Sequence, residues 1–155
     1  MIILDTNIIS ELMKAAPDPR VITWIDQQDA MALFTTSITI AEIMYGLSVL
    51  TESRRRVLLK EAFDRVLSSA FKHRILVFDE AAALFYGQLM GHRKTMGQPL
   101  SVLDGQIAAM TRVNQMSLAT RNTRDFIDCG LTLINRILSI SQGKCNNSDL
   151  SRATF

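Results

Sequence analysis

The sequence has few cysteines and no long apolar run, and these two absences exclude several classes of protein. Its two cysteines, Cys129 and Cys145, lie apart from any histidine pair or CxxC spacing, so neither a zinc site nor a disulfide framework is indicated. No stretch approaches the roughly 18 uninterrupted apolar residues that a membrane span needs. Asp5 also comes too early in the chain for a signal peptide. We therefore expect a cytoplasmic protein that does not contact membranes.

A strong excess of charge of one sign is also missing. The 17 lysines and arginines nearly balance the 15 aspartates and glutamates, and a net charge of +2 does not by itself indicate nucleic-acid binding. If a metal neutralised four of the acids, the remaining surface would be more basic and compatible with RNA. The 155 residues, of which 48% are hydrophobic, suffice for one domain with a packed interior.

Strand-like and helix-like segments alternate along the chain, which predicts an α/β layer fold built on a parallel sheet. The segment 2–4 is continuously apolar, as a strand buried on both faces should be. We predict further strands at 33–36, 75–78, 117–120 and 131–134. The longest predicted helix covers 54–71, and 91–99 is predicted to be a polar, basic loop. We place one domain at 1–136 and a polar, flexible C-terminal tail at 137–155.

Four acidic residues fall where ligands bind in parallel α/β sheets, which is just beyond the carboxyl ends of the strands. Each of three has a structural alternative: Asp104 as part of a capping box, Glu42 as an exposed helix acid and Asp125 as a turn residue. Asp5 directly follows the buried first strand, and a carboxylate there is hard to place on plain surface. For Asp5, function is therefore the favoured interpretation.

If these acids converge, their mutual repulsion must be offset. Two unit charges about 4 Å apart at an effective dielectric near 20 repel by ~4 kcal/mol. Either protons shift onto the carboxylates or a cation lies among them. An all-oxygen set without histidine or cysteine suits a hard ion such as Mg²⁺ or Mn²⁺. Such a site indicates hydrolysis of a phosphodiester.

The surrounding motifs carry a family resemblance over about residues 1 to 135. In order they are MIILDTNIISEL from Met1, TIAEIMYG from Thr39, PLSVLDGQIAA from Pro99 and ATRNTRDF from Ala119. Together they resemble the ordered signature of PIN-domain proteins, and more narrowly they are similar to the VapC/FitB-like toxins of bacterial type II toxin–antitoxin systems. The resemblance implies a three-layer α/β/α fold with a short parallel sheet, metal-dependent endoribonuclease activity and a homodimer. It also implies a small antitoxin that blocks the site and, through its other end, binds operator DNA.

The resemblance also assigns roles to individual residues. Asp5 and Asp104 would be the principal ligands of Mg²⁺, with Mn²⁺ as an alternative, and Glu42 would complete the ligand set or orient the attacking water. Asn122 stands where many family members carry Asp, so the fourth acidic role goes to Asp125. The matching polar positions are Asn7, Thr120 and Asn122, and the flanking cations that we expect to contact RNA are Arg121 and Arg124.

Other families fit these residues less well. A haloacid dehalogenase-type phosphatase needs a second acid where this chain has Asn7, and a receiver-like phosphoacceptor domain needs paired acids around Asp5. A catalytically silent PIN-fold binding module is a further alternative, which the presence of all four acids disfavours. The basic runs 54–56 and 92–94 are predicted to be solvated faces, since charge runs on helices usually are. No Gly-x-Ser-x-Gly or phosphate-binding glycine loop occurs.

Overall fold

The computed structural model describes residues 1–134, and the predicted C-terminal tail lies outside them. Five parallel strands form one sheet in the order β3-β2-β1-β4-β5. The strands are β1 (Ile2–Leu4), β2 (Leu33–Thr36), β3 (Ile75–Leu76), β4 (Ser117–Ala119) and β5 (Thr132–Ile134). The helices are α1 (Thr6–Leu12), α2 (Pro19–Asp26), α3 (Ser37–Ser48), α4 (Arg54–Ala70), α5 (Glu80–Thr95) and α6 (Val102–Val113), with a short 3-10 helix at Ala30–Ala32.

Helices cover both faces of the sheet, so the predicted three-layer α/β/α architecture is confirmed. Neighbouring residues of a strand point to opposite faces. Leu4 accordingly joins a core formed with α1 to α4, whereas Ile3 joins a second core formed with α5 and α6. Both side chains are almost fully buried, as the apolar first strand predicted. Among the described residues, no helix is both long enough and apolar enough to cross a membrane.

The strand order places a reversal of the chain at β1. From β1 the chain runs outward through β2 and β3, then crosses back to build β4 and β5 on the other side. A crevice opens at such a reversal, beyond the carboxyl ends of the two strands that flank it, and it is the usual ligand site of open α/β sheets. Here those strands are β1 and β4, which are followed by Asp5 and Thr120.

Three sequence predictions about local structure need correction. The strand predicted at 75–78 ends at Leu76, where its pairing with β2 ends. The predicted loop at 91–99 is helical as far as Thr95, because α5 continues through its basic last turn, where cations interact favourably with the carbonyl end of a helix. Arg93 within that turn is buried, with 4% of its surface exposed, so the run 92–94 is not a solvated face throughout.

Candidate functional site

Asp5 lies directly after β1, beside the carboxyl end of β4. Its backbone N–H donates to the Ala119 carbonyl (3.0 Å), and its side chain caps α1 by accepting from the Thr6 N–H (2.7 Å). Only 4% of the residue is exposed. Burial raises the pKa of the Asp5 carboxyl, and the negative charge of Asp104 raises it further, while its hydrogen bonds act in the opposite direction. The fold therefore holds a carboxylate where its charge is costly.

A polar network fixes the orientation of this carboxylate. Asp5 Oδ2 accepts hydrogen bonds from the Thr120 hydroxyl (2.6 Å) and from Asn7 Nδ2 (2.7 Å). Asn7 Nδ2 also lies 3.0 Å from Thr120 Oγ1, and Asn7 Oδ1 accepts from the Arg121 N–H (3.1 Å). Thr120 Oγ1 further accepts from the Asn122 N–H (3.0 Å). The network ties the segment after β4 to the start of α1.

Glu42 reaches the same region from α3. The Thr36 hydroxyl caps this helix by accepting from the Thr39 N–H (3.0 Å). Glu42 Oε2 accepts a hydrogen bond from the Thr6 hydroxyl. Burial raises the pKa of the Glu42 carboxyl, and the charges of Asp5 and Asp104 raise it further. Glu42 is therefore not the plain exposed helix acid of the structural alternative.

Asp104 enters the site from the first turn of α6. Ser101 caps this helix: its Oγ accepts from the Asp104 N–H (3.1 Å) and donates to Asp104 Oδ2 (2.7 Å), so the predicted capping contact is present. The capping role does not exclude the functional one, because the charge of Asp104 raises the pKa of both Asp5 and Glu42. The three acids, one directly after β1 and the others on α3 and α6, thus form one electrostatically coupled cluster, which we call the acidic cluster.

Asp125 is connected to the acidic cluster only through intermediate residues. It lies in the turn after β4, and its Oδ2 accepts from the side-chain amide of Asn122. Asn122 in turn contacts Thr120 through its backbone N–H, and Thr120 donates to Asp5. Asp125 is not among the charges that shift the pKa of Asp5 or Glu42. The fourth acid is therefore positioned at the edge of the site rather than within it.

The two predicted flanking cations differ in their surroundings. Arg121 Nη1 forms an ion pair with Glu11 Oε2 (2.9 Å), whereas the side chain of Arg124 is exposed. Glu11 is itself buried, with 4% exposure, and also accepts from Lys14 (2.6 Å). Sequence reasoning missed Glu11. The available signal was its position three residues after Ile8, on the buried face of α1.

The donor chemistry of the acidic cluster fits a hard divalent cation. Carboxylate oxygens and an adjacent hydroxyl are ligands that Mg²⁺ and Mn²⁺ prefer. Within residues 1–134, no three acidic, histidine or cysteine side chains are close enough, as placed, to enclose a metal by themselves. Mg²⁺ does not need such a cage, because it keeps several waters and usually binds one or two carboxylates. Asp5 and Asp104 are the two acids that could supply them.

Comparison with known proteins places this geometry among related folds. The family model of the PIN domain matches residues 2–129, which include all four predicted acids. A VapC ribonuclease, Y4jK, from Sinorhizobium fredii is 40% identical over 135 residues, covering 87% of this chain and 96% of its own. The toxin FitB from Neisseria gonorrhoeae is 34% identical over 135 residues, covering 87% of this chain and 97% of its own.

Solved structures give the same result at the level of the fold. A structure of FitAB bound to the IR36 DNA fragment superposes with a TM-score of 0.80 at 34% identity, covering 88% of this chain and 96% of the other. Other solved structures with this fold are toxin–antitoxin complexes.

Proposed function

Since this chain belongs to the PIN-domain family, we propose that it is an Mg²⁺-dependent endoribonuclease and the toxin of a type II toxin–antitoxin pair. The observation that carries the proposal is the acidic cluster: Asp5, Glu42 and Asp104 come from three separate parts of the fold, and the charge of Asp104 raises the pKa of both Asp5 and Glu42. Mutually repelling carboxylates in a crevice are typical of a functional site. Relatives named as a ribonuclease and as a toxin support the activity and the biological role.

Asp5 and Asp104 would hold Mg²⁺, with Mn²⁺ as a possible replacement. When bound, such an ion polarises a phosphoryl oxygen and lowers the pKa of a coordinated water. The chain's contribution is a fixed carboxylate geometry. Asp5 is locked by three hydrogen-bond donors, and Asp104 is held by the cap of α6.

Glu42 is the residue best suited to accept a proton from the attacking water. Its raised pKa brings it closer to neutrality, where a general base works best. The Thr6 hydroxyl holds one oxygen of Glu42, and this contact limits the directions in which the carboxylate can turn. Asp125, oriented by Asn122, would act at the edge of the site.

We propose RNA as the substrate, with the phosphate backbone crossing the mouth of the crevice. Arg121 directly follows Thr120 and Arg124 comes three residues later. Both would contact phosphates beside the acidic cluster. Arg121 is preorganised by Glu11 and by its backbone bond to Asn7, whereas Arg124 is exposed and able to adapt. A metal ion would neutralise the acidic cluster, and with the two arginines beside it this part of the surface would attract the negatively charged RNA backbone instead of repelling it.

The proposed partners follow from the relatives. FitAB was solved with a DNA fragment, and other proteins of this fold were solved as toxin–antitoxin complexes. We therefore propose that a cognate antitoxin inhibits this chain, that operator DNA is contacted only through that antitoxin, and that the chain forms a homodimer in the cytoplasm. A small neighbouring reading frame whose product restores growth to cells expressing this chain would support the pairing.

The activity is tested with purified protein and total RNA, in Mg²⁺, in Mn²⁺ and in a chelator. Asp5→Asn and Asp104→Asn should abolish cleavage while retaining the fold by circular dichroism. Asp64→Asn is a matched control, because Asp64 is an exposed acid of α4 that pairs with Lys60 away from the crevice. Equal cleavage by wild type and both site variants would indicate a contaminating nuclease and contradict the proposal. No cleavage by folded wild-type protein would instead support the catalytically silent binding module.

A further inference from the structure

Arg93 is a buried arginine on α5, a helix that carries none of the four acids. Its guanidinium donates from Nη2 to the Asp125 carbonyl (3.2 Å) and from Nη1 to the Ile127 carbonyl. Nη1 also donates to Gln98 Oε1 (3.0 Å). Both carbonyls belong to the turn that follows β4, about thirty residues further along the chain. Arg93 therefore fastens this turn, residues 121–129, to the end of α5.

The charge of Arg93 is not explained by an ion pair. Across residues 1–134, no carboxylate oxygen lies within 4.0 Å of its guanidinium nitrogens, and its buried Nε has no hydrogen-bond partner. Burying a cation without a counter-charge is costly, and an apolar side chain would fill the same space at lower cost. What an apolar residue could not do is donate to two carbonyls at once, which suits the fork of a guanidinium.

The turn that Arg93 fastens has one end in the functional site. Asn122 binds Asp125 with its side-chain amide and Thr120 with its backbone N–H, and Thr120 donates to Asp5. Asp125 is thus held from two sides, by Asn122 at its carboxylate and by Arg93 at its backbone carbonyl. The first contact orients the acid, and the second prevents the backbone from shifting away from the crevice.

We infer that Arg93 is a positioning residue, which fixes the position of Asp125 by holding the backbone of the turn through the Asp125 and Ile127 carbonyls. This inference rests on the proposed ribonuclease function for its effect on activity. Groups hydrogen-bonded to metal ligands typically change metal affinity or activity by about 10- to 100-fold when they are altered. Arg93 is one step further from the metal ligands, so we expect an effect at the low end of this range. The effect of Arg93 should pass through Asp125 and disappear when that carboxylate is absent.

The test compares Arg93→Lys with Arg74→Lys. Arg74 also donates to backbone carbonyls, those of Leu33 (3.1 Å) and Ala70, but at the opposite end of the sheet. We expect Arg93→Lys to raise the Mg²⁺ concentration for half-maximal cleavage and to lower kcat by roughly 10-fold. Arg74→Lys should leave both unchanged. In the Asp125→Asn background, Arg93→Lys should cause little further loss.

Hydrogen exchange gives a readout that does not require activity. Backbone amides of 121–129 should exchange faster in Arg93→Lys than in wild type or Arg74→Lys, while amides of α6 stay unchanged. If Arg93→Lys does not fold, Gln98→Ala is used instead. Gln98→Ala removes only one partner of the Arg93 guanidinium, so the same amides should exchange faster, by a smaller factor.

The outcomes separate the two proposals. The role of Arg93 would be overturned if the losses of activity caused by Arg93→Lys and Asp125→Asn multiply in the double variant. It would also be overturned if the amides of 121–129 exchange at the same rate in Arg93→Lys as in wild type. Wild-type protein that cleaves no RNA would contradict the proposed function instead, and the exchange experiment would still decide whether Arg93 fixes the turn.

Discussion

Replacing Glu42 with glutamine should make the protein more stable without metal and less active with it. Glutamine has nearly the same shape, and its Oε1 can still accept from the Thr6 hydroxyl. What the substitution removes is a partly buried negative charge that Asp5 and Asp104 repel. The change therefore isolates the electrostatic cost of assembling the acidic cluster.

The expected gain follows from that repulsion. In a partly solvated site, each like-charge pair costs roughly 1 kcal/mol once screening by water is included. Two such pairs give a gain of about 1 to 2 kcal/mol, which for a domain of this size raises Tm by about 2 to 8 °C.

The gain should depend on pH with a definite sign. The pKa of Glu42 is raised above its ordinary value of 4.5 by burial and by repulsion, so over that interval the folded protein binds more protons than the unfolded chain. The stability of the wild-type protein accordingly falls as pH rises from the ordinary pKa of Glu42 through its raised pKa in the folded state. The advantage of Glu42→Gln should be small well below pH 4.5, where the acid is protonated in both states, and complete above the raised pKa of the folded state.

Thermal unfolding in a chelator and in excess MgCl₂, across this pH range, measures the effect. A bound cation offsets the repulsion in wild type, so the advantage of Glu42→Gln should shrink when Mg²⁺ is added. Glu61→Gln, which neutralises an exposed acid of α4, controls for the general loss of a negative charge. A Tm in chelator that is equal to or below that of wild type would refute the reasoning.

Further substitutions test the packing of α6 and the ion pair of Glu11. Gly105→Ala would place a Cβ 2.6 Å from Met90 Sδ, so we expect the free energy of unfolding, measured by chemical denaturation, to fall by about 1 to 3 kcal/mol. Gly91→Ala is the control, because a Cβ there meets no atom within 4 Å, and it should be neutral or stabilising. Glu11→Gln should cost about 1 to 3 kcal/mol at neutral pH, because it removes a buried charge that accepts from Lys14. Since that contact lowers the pKa of Glu11, the stability it contributes is lost as pH falls through the lowered value, and the deficit of the variant should vanish in acid. A deficit that persists unchanged in urea titrations at acidic pH would contradict this assignment.

The sequence permitted the prediction of the sheet and of the acids that follow its strands. Ile2–Leu4 is apolar throughout, so a buried strand and an acid at its carboxyl end could be predicted from local composition. Asp104 was predicted through its capping motif, because Ser101 and Asp104 are close in the chain.

Residues held by distant partners could not be predicted in the same way. Arg93 lies in a basic run that is typical of an exposed helix end, and its burial depends on carbonyls of a turn some thirty residues away. Glu11 is paired with the nearby Lys14 but also with Arg121, which the chain brings back more than a hundred residues later. Charged side chains carry no local signal of burial when the compensating groups are remote in sequence.

The central position of β1 has a consequence for the order in which the protein can mature during synthesis. Asp5 leaves the ribosome well before Thr120, which comes 115 positions later and whose hydroxyl orients the Asp5 carboxylate. Pairing across so long a separation must wait for the late strand, and contacts of this kind form slowly. An incomplete chain that stops before Thr120 has its first acid but not the neighbour that orients it. The proposed nuclease activity would thus be withheld until translation has passed Thr120.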